Sequence, residues 1–381
     1  MDFSYTDEQK MLQDSVQRFV RDEYSFDCRK AILESAEGYS EKHWRAFADL
    51  GWLAVPFSEA DGGYGGSAVD LMLIMEELGR GLALEPFVAS AVLSGGLVSQ
   101  LGSSEQKHHI LPGLISGELQ LASAISEQQS RYNVANVATT AKLLDSTFVL
   151  NGQKTNVLNG PKADQMLVTT RIEGGGSKDN QISVFIVDPA SPGVKINSYR
   201  QIDGHVAATV EFRDVIVPKD AKLAGESDTL EVLNQVLDLA TMAVSSEAIG
   251  ALEQLLTKTV DYAKTRKQFD VPIGSFQALQ HRMADMFIEC QLARSIVLMA
   301  VMELDSSASG PEKAAAVSAA KCRLGKSIKL VGQEAIQIHG GIGMTDELDV
   351  AHYFKRVTAI GVQFGDEEFH ARRYRALQAK I

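Results

Sequence analysis

The 381 residues predict an α+β fold in three successive parts: an N-terminal helical domain over 1–117, a middle antiparallel β-domain over 118–226, and a C-terminal four-helix-bundle domain over 227–381. Three observations predict it. Apolar residues recur at helical spacing up to about residue 115. The texture then changes to short β-type runs broken by turn residues, and after Glu226 long Ala/Leu/Met-rich periodic stretches return. A chain of this length holds two or three domains and buries a large core without disulfide or metal staples.

The first element is a helix. Thr6 followed by Gln9 is a capping box, and Leu12, Val16, Phe19 and Val20 follow at helical spacing. Helical patterns continue over Glu41 to Leu50 and Ala68 to Gly81, with a glycine-rich turn between them at Asp61-Gly-Gly-Tyr-Gly-Gly66. The β-runs are Phe148-Val-Leu150, Met166 to Thr170, Ile182 to Val187 and Thr209 to Phe212, with turn signals at Asn151-Gly152 and Gly174-Gly-Gly176. The last region reads as helices through Ala308, from Ala314 to His339, and from about Asp366 to the end.

Composition narrows the function. The formal net charge of −12 and the lack of a Lys/Arg-rich run argue against nucleic-acid binding. Cys28, Cys290 and Cys322 are odd in number, widely spaced and without a Cys-x-x-Cys pair, so they read as reduced thiols of a cytoplasmic protein, and no metal site is expected. The polar start MDFSYTDEQK lacks the pattern of a signal peptide. Leu292 to Met302 contains Arg294 and stops at Glu303, short of the roughly 20 residues that span a bilayer.

Two segments carry chemistry. In Tyr262-Ala-Lys-Thr-Arg-Lys-Gln-Phe269-Asp-Val-Pro-Ile273, Arg266 closes a helix and Phe269 opens a Pro-containing turn. A fixed guanidinium and a ring then stand beside the next helix start, as a diphosphate and a flat heterocycle require. In Gln337-Ile-His-Gly-Gly-Ile-Gly-Met-Thr345 the glycines follow a helix rather than a strand. This is the wrong context for a dinucleotide fingerprint and the right one for a helix end open to close approach. Alone, a surface arginine, a core phenylalanine and a plain helix stop would also explain them.

Taken together and in this order, these segments make the chain resemble the acyl-CoA dehydrogenase family along essentially its whole length. Gly51-Trp-Leu-Ala-Val-Pro56, Glu76-Glu-Leu-Gly-Arg80 and Leu150-Asn-Gly-Gln-Lys154 carry the same resemblance. It implies an acyl-CoA dehydrogenase-like fold, FAD as cofactor and an acyl-CoA thioester as substrate. A carboxylate would remove the α-proton while the β-hydride passes to the flavin, with an electron-transfer flavoprotein as acceptor. It also implies an FAD shared across a subunit boundary, its ADP portion held by Arg266, Phe269, Gln277, Gln337, Gly340 and Gly341, with Ser126 on the flavin side.

The chain departs from the family where chemistry should occur. After Ser126-Glu127 the family runs Pro-x-x-Gly-Ser-Asp, whereas this chain has Gln128-Gln-Ser-Arg-Tyr132, with Ser130 expected to stand in for a serine near the CoA. Asn156 and Leu158 replace an aromatic residue and a hydroxyl that the family sets against the flavin. Phe364 and Ala240 occupy the two positions from which family members draw a catalytic Glu, and neither takes a proton. Glu247, seven residues after Ala240, is the one candidate base nearby. It lies about 10 Å along the helix at 1.5 Å per residue, and the other reading is a buried, paired carboxylate. Acidic Asp366 to Glu368 read as a helix start.

The local phrasing, with Glu127-Gln-Gln-Ser-Arg-Tyr132, His352-Tyr-Phe-Lys-Arg356 and Phe364-Gly-Asp366, is similar to the pimeloyl-CoA dehydrogenase small-subunit branch and to heterotetrameric acyl-CoA dehydrogenases, with fatty-acid or steroid side-chain β-oxidation as the expected setting. The leading expectation is therefore a base-lacking subunit that contributes the ADP-holding half of an FAD site to a second acyl-CoA dehydrogenase subunit. Two alternatives stand beside it: a self-sufficient homotetramer with a non-standard base, and a non-catalytic assembly subunit.

Overall fold

The computed structural model describes residues 4–173, 182–225 and 227–379. The Gly174 to Gly176 turn signal and the boundary at Glu226 lie outside the described residues. The chain forms two compact units. One comprises Met1–Ala31, Ser67–Ala83 and Thr241–Ile381, the other Ile32–Gly66 and Leu84–Ala240.

The first unit is helical. Helix α1 (Asp7–Glu23) starts at the expected capping box, in which Thr6 and Gln9 bond reciprocally. It packs against α4 (Ala68–Gly81). Helix α7 (Thr229–Thr265) from Thr241 onward, with α8 (Gln277–Asp305), α9 (Gly310–His339), α10 (Asp349–Val362) and α11 (Glu367–Gln378), completes the unit, with α9 packed on α8, α10 and α11. Between α7 and α8 a two-residue hairpin joins β8 (Lys267–Gln268) to β9 (Val271–Pro272). Asp366 caps α11 by accepting from the Phe369 N–H at 2.8 Å, as its sequence position predicts.

Helices α4 and α7 touch backbone to backbone. A Cβ on Gly79 would stand 2.0 Å from the Glu247 carbonyl oxygen, and one on Gly250 would stand 1.9 Å from that of Glu76. Nearby, Arg294 reaches Glu76 at 2.8 Å and Glu253 at 2.5 Å, which satisfies the charge that interrupts the apolar run of α8. No helix among the described residues is long and apolar enough to cross a membrane.

The second unit holds a seven-stranded sheet with helices beside it: α3 (Glu41–Asp49), α5 (Gly96–Leu101) and α6 (Ser104–Ile115). The strands are β1 (Leu121–Ala124), β2 (Thr140–Leu144), β3 (Thr147–Leu158), β4 (Gln165–Glu173), β5 (Ile182–Val187), β6 (Val194–Arg200) and β7 (Val206–Pro218). Pairs β2–β3, β3–β7, β4–β5 and β6–β7 are antiparallel, but β4 also takes β1 and β2 as parallel neighbours, which the sequence pattern did not indicate. Phe148, Phe185, Met166, Phe212 and the alternating valines of β7 form its core.

Two local expectations change. Asn151-Gly152 makes no turn: it sits inside β3 at a register shift, where Gly152 (φ 149°) lies against Thr139 so closely that a Cβ would stand 2.6 Å from its hydroxyl. A glycine in a strand marks a bulge or a close approach as well as a hairpin. The β2–β3 turn falls instead at residues 145 and 146, with Asp145 at φ 52°. Residues Phe87–Gly95 form a fully buried π-helix rather than an α-helix, and its Ser90 hydroxyl accepts from the Leu121 N–H of β1 at 2.8 Å.

Candidate functional site

Helix α7 ends at Thr265, so Arg266 is the first residue beyond it, exposed, with its carbonyl accepting from Ile273 N–H at 2.8 Å across the hairpin. The hairpin tip is Phe269-Asp270, with φ 53° and 62° at its two central positions. Such a turn favours Asn-Gly, so a ring at this place is held in a costly conformation. Phe269 is 87% exposed and meets only the edge of Phe276, at 6.2 Å between centroids. A core phenylalanine is thereby ruled out. Gln277 is the exposed first residue of α8.

The second segment lies at the end of α9. Gly340 (φ 67°) closes that helix, and neither Gly340 nor Gly341 has any heavy atom within 4 Å of where a Cβ would stand. Gln337 is exposed one turn earlier. The two segments are joined by Tyr262, which stacks on His339 at 4.4 Å and donates to its carbonyl at 3.4 Å. An exposed guanidinium, an exposed ring and an open glycine surface fit the diphosphate and flat heterocycle of an ADP group.

The positions expected for a base carry none. Ala240 is fully buried. Phe364 sits half-buried between α10 and α11 at φ 58°, followed by Gly365 at φ 128°. Its loop is anchored from below. His370 Nε2 donates to the Phe364 carbonyl at 3.2 Å, and the ammonium of fully buried Lys321 donates to the Ile360 carbonyl at the end of α10. Burial, with Lys321 and Arg373 beside it, pushes His370 down to about 3. Burial and the Arg356 charge push Lys321 down to about 7.

Glu247 meets Arg356 through both oxygens, at 2.5 Å from Nε and 2.6 Å from Nη2, with both side chains buried. A carboxylate clamped on a guanidinium through both oxygens has no open oxygen for substrate. Its partner lies 109 residues away; Arg356 stands in a segment noted in the sequence for its phrasing alone.

In the β-unit, Glu127 and Lys154 form a buried ion pair at 2.6 Å that the sequence did not reveal. The Lys154 ammonium also donates to Thr169 Oγ1 at 2.8 Å and Ile125 O at 3.4 Å. Glu127 accepts in addition from Gln129 and from the N–H groups of Ala138 and Thr139. Burial alone would raise it, but Lys154 and these donors hold its carboxyl at about 2.

Ser126 is half-buried, its carbonyl accepting from Thr155 N–H at 2.8 Å. Ser130 does not offer its hydroxyl outward. That group closes a turn, donating to Glu127 O and accepting from Glu127 N–H. Asn156 (φ 52°) is tied by its side-chain oxygen to Gln201 Nε2 at 2.6 Å, and Leu158 is half-buried.

The chain matches the acyl-CoA dehydrogenase N-terminal domain over residues 6–118, the middle domain over 122–215 and the C-terminal domain over 230–376. It is 30% identical to acyl-CoA dehydrogenase FadE12 of Mycobacterium tuberculosis over 87% of this chain and 90% of that one. It is 28% identical to the caffeyl-CoA reductase–Etf complex subunit CarC of Acetobacterium woodii over 92% and 93%. Among solved structures it resembles a chain of the ChsE4–ChsE5 complex of M. tuberculosis with a TM-score of 0.89, 25% identity and full coverage of both chains.

Proposed function

Because the chain belongs to the acyl-CoA dehydrogenase family of FAD-dependent oxidoreductases, we propose that it serves α,β-dehydrogenation of an acyl-CoA thioester as the base-lacking subunit of a heteromeric enzyme. It holds the ADP portion of an FAD whose flavin ring is used with a partner chain. One observation carries this reading: the surface of Arg266, Phe269, Gln277, Gln337, Gly340 and Gly341 is open, while the base positions hold Phe364 and Ala240.

The residues divide the work as follows. Arg266 would fork onto diphosphate oxygens, Phe269 would cover a flat heterocycle, and Gly340 and Gly341 would let the group approach backbone. Bound FAD supplies the hydride acceptor. The α-proton goes to a carboxylate of the partner subunit, since Glu247 is committed to Arg356. The heteromeric ChsE4–ChsE5 neighbour and the Etf-complex relative support a second family subunit and an electron-transfer flavoprotein as partners. None of the three cysteines is in a disulfide, which supports a cytoplasmic setting. By sequence the domains divide at 1–117, 118–226 and 227–381.

The test is co-expression. Purified alone, the chain carries no FAD and does not oxidise acyl-CoA; with its partner subunit, the complex is yellow and active. A yellow, active homotetramer of this chain alone refutes the proposal. Arg266→Ala separates it from a mere assembly role, because the complex then loses FAD while the subunits stay together.

A further inference from the structure

Toward the end of α7, Lys258, Tyr262 and Arg266 follow one another at four-residue spacing and so fall on one stripe. The first two grip the chain that runs from α9 through the glycine segment Gly340–Met344 to α10. The Tyr262 ring lies on the His339 ring at 4.4 Å between centroids and 26° between planes, and its hydroxyl donates to the His339 carbonyl at 3.4 Å. Lys258 pairs with Asp349, the first residue of α10, at 2.7 Å. His339 is held in turn. Its Nδ1 donates to the Ala335 carbonyl at 2.8 Å, and Gly343 folds back so closely that a Cβ there would stand 2.8 Å from the His339 Cβ.

Tyr262 thereby bonds to both halves of the candidate surface. Its carbonyl accepts from the Arg266 N–H at 2.8 Å, and its side chain holds the residue that precedes Gly340. The two halves are 77 residues apart in the chain. A ligand gripped at one end by a guanidinium and at the other by backbone binds well only if that separation is fixed to about 0.5 Å. Planar rings stacked at this distance resist sliding and tilting more than a flexible aliphatic contact does. His339 is only 5% exposed, so the pair acts from behind the surface.

We infer that Tyr262 and His339 are positioning residues for the cofactor: their stack sets the separation between Arg266 and the Gly340–Gly341 backbone at which the ADP portion is gripped. The inference rests on the reading of that surface given above.

The test uses the complex with its partner subunit, stripped of flavin and titrated calorimetrically with FAD and with ADP. Tyr262→Leu weakens both about 10-fold, whereas Tyr262→Phe, which keeps the stack, stays within about twofold of wild type. His339→Leu and His339→Phe divide in the same way, and they carry the comparison if Tyr262→Leu does not assemble. In an Arg266→Ala background, Tyr262→Leu adds less than about twofold, because a grip already lost cannot be misplaced. Affinity within twofold of wild type in an assembled leucine variant overturns the inference, as does an equal loss in the phenylalanine variants. Full additivity with Arg266→Ala also overturns it, since that marks a role in stability alone. If Arg266→Ala itself leaves FAD and ADP affinity unchanged, the reading of the surface fails and this inference with it.

Discussion

Glu247 and Arg356 lie 109 residues apart in the chain and meet through both carboxylate oxygens in a dry interior. Removing one member strands a buried charge, so Glu247→Ala is expected to cost about 3–5 kcal/mol, read from the denaturant midpoint. The double variant Glu247→Leu with Arg356→Met recovers most of that loss, since a packed apolar pair is close to neutral in place of a buried ion pair. A base role predicts the reverse: stability near wild type and turnover abolished. Sequence reasoning offered both roles for Glu247 because helical spacing fixes distance along one helix and says nothing of what another helix brings opposite. The same limit hid Lys154 from Glu127, while the exposed placing of Arg266 and Phe269 between two helices was legible because it is set within one short segment.

At the scale of elements, α4 and α7 are brought together by glycine. Gly250→Ala would place a methyl 1.9 Å from the Glu76 carbonyl oxygen, so the helices must separate. The expected cost is about 1–3 kcal/mol. Gly325→Ala in α9 is the control: its new methyl meets the Glu367 Cβ at 3.3 Å, a mildly tight contact that the gain in helix propensity offsets, leaving the thermal midpoint near wild type. The signal for Gly79 and Gly250 was present in the sequence as isolated glycines within helical patterns. Asn151-Gly152 misled for a related reason. Glycine reports that a backbone comes close or bends, and only the pairing of β3 with β7 decides which.

Across the whole molecule, burial sets the pH response. Folding lowers the proton affinity of Lys321 from its ordinary 10.5 to about 7, of His370 from 6.5 to about 3, and of Glu127 from 4.5 to about 2. Each contributes stability that is complete above its unfolded value and is lost as pH falls toward its folded one. Glu76 runs the other way: burial raises it to about 7, so its contribution is present below 4.5 and lost as pH rises to 7. The thermal midpoint is therefore expected to fall as pH is lowered from about 9 to 7, to hold nearly level between 7 and 4.5, where Glu76 offsets His370, and to fall again below 4.5. His370→Gln, which keeps a neutral donor beneath Phe364, should turn the level stretch between 6.5 and 4.5 into a rise on acidification. A wild-type midpoint that rises as pH is lowered from 9 to 7 would contradict this account. The three-part order of helix, sheet and helix was readable because periodicity reports which faces are buried. The parallel neighbours of β4 were not, because strand order depends on contacts distant in sequence.

The open surface at Gly340 and Gly341 has a consequence in the language of mass action. On the proposed division of labour, a cofactor gripped from two chains is bound by an encounter of three molecules. Its retention then depends on the concentration of assembled protein as well as on the concentration of FAD. Dilution alone discharges such an enzyme. Subunit supply in the cell thereby becomes a control on how much flavin it holds.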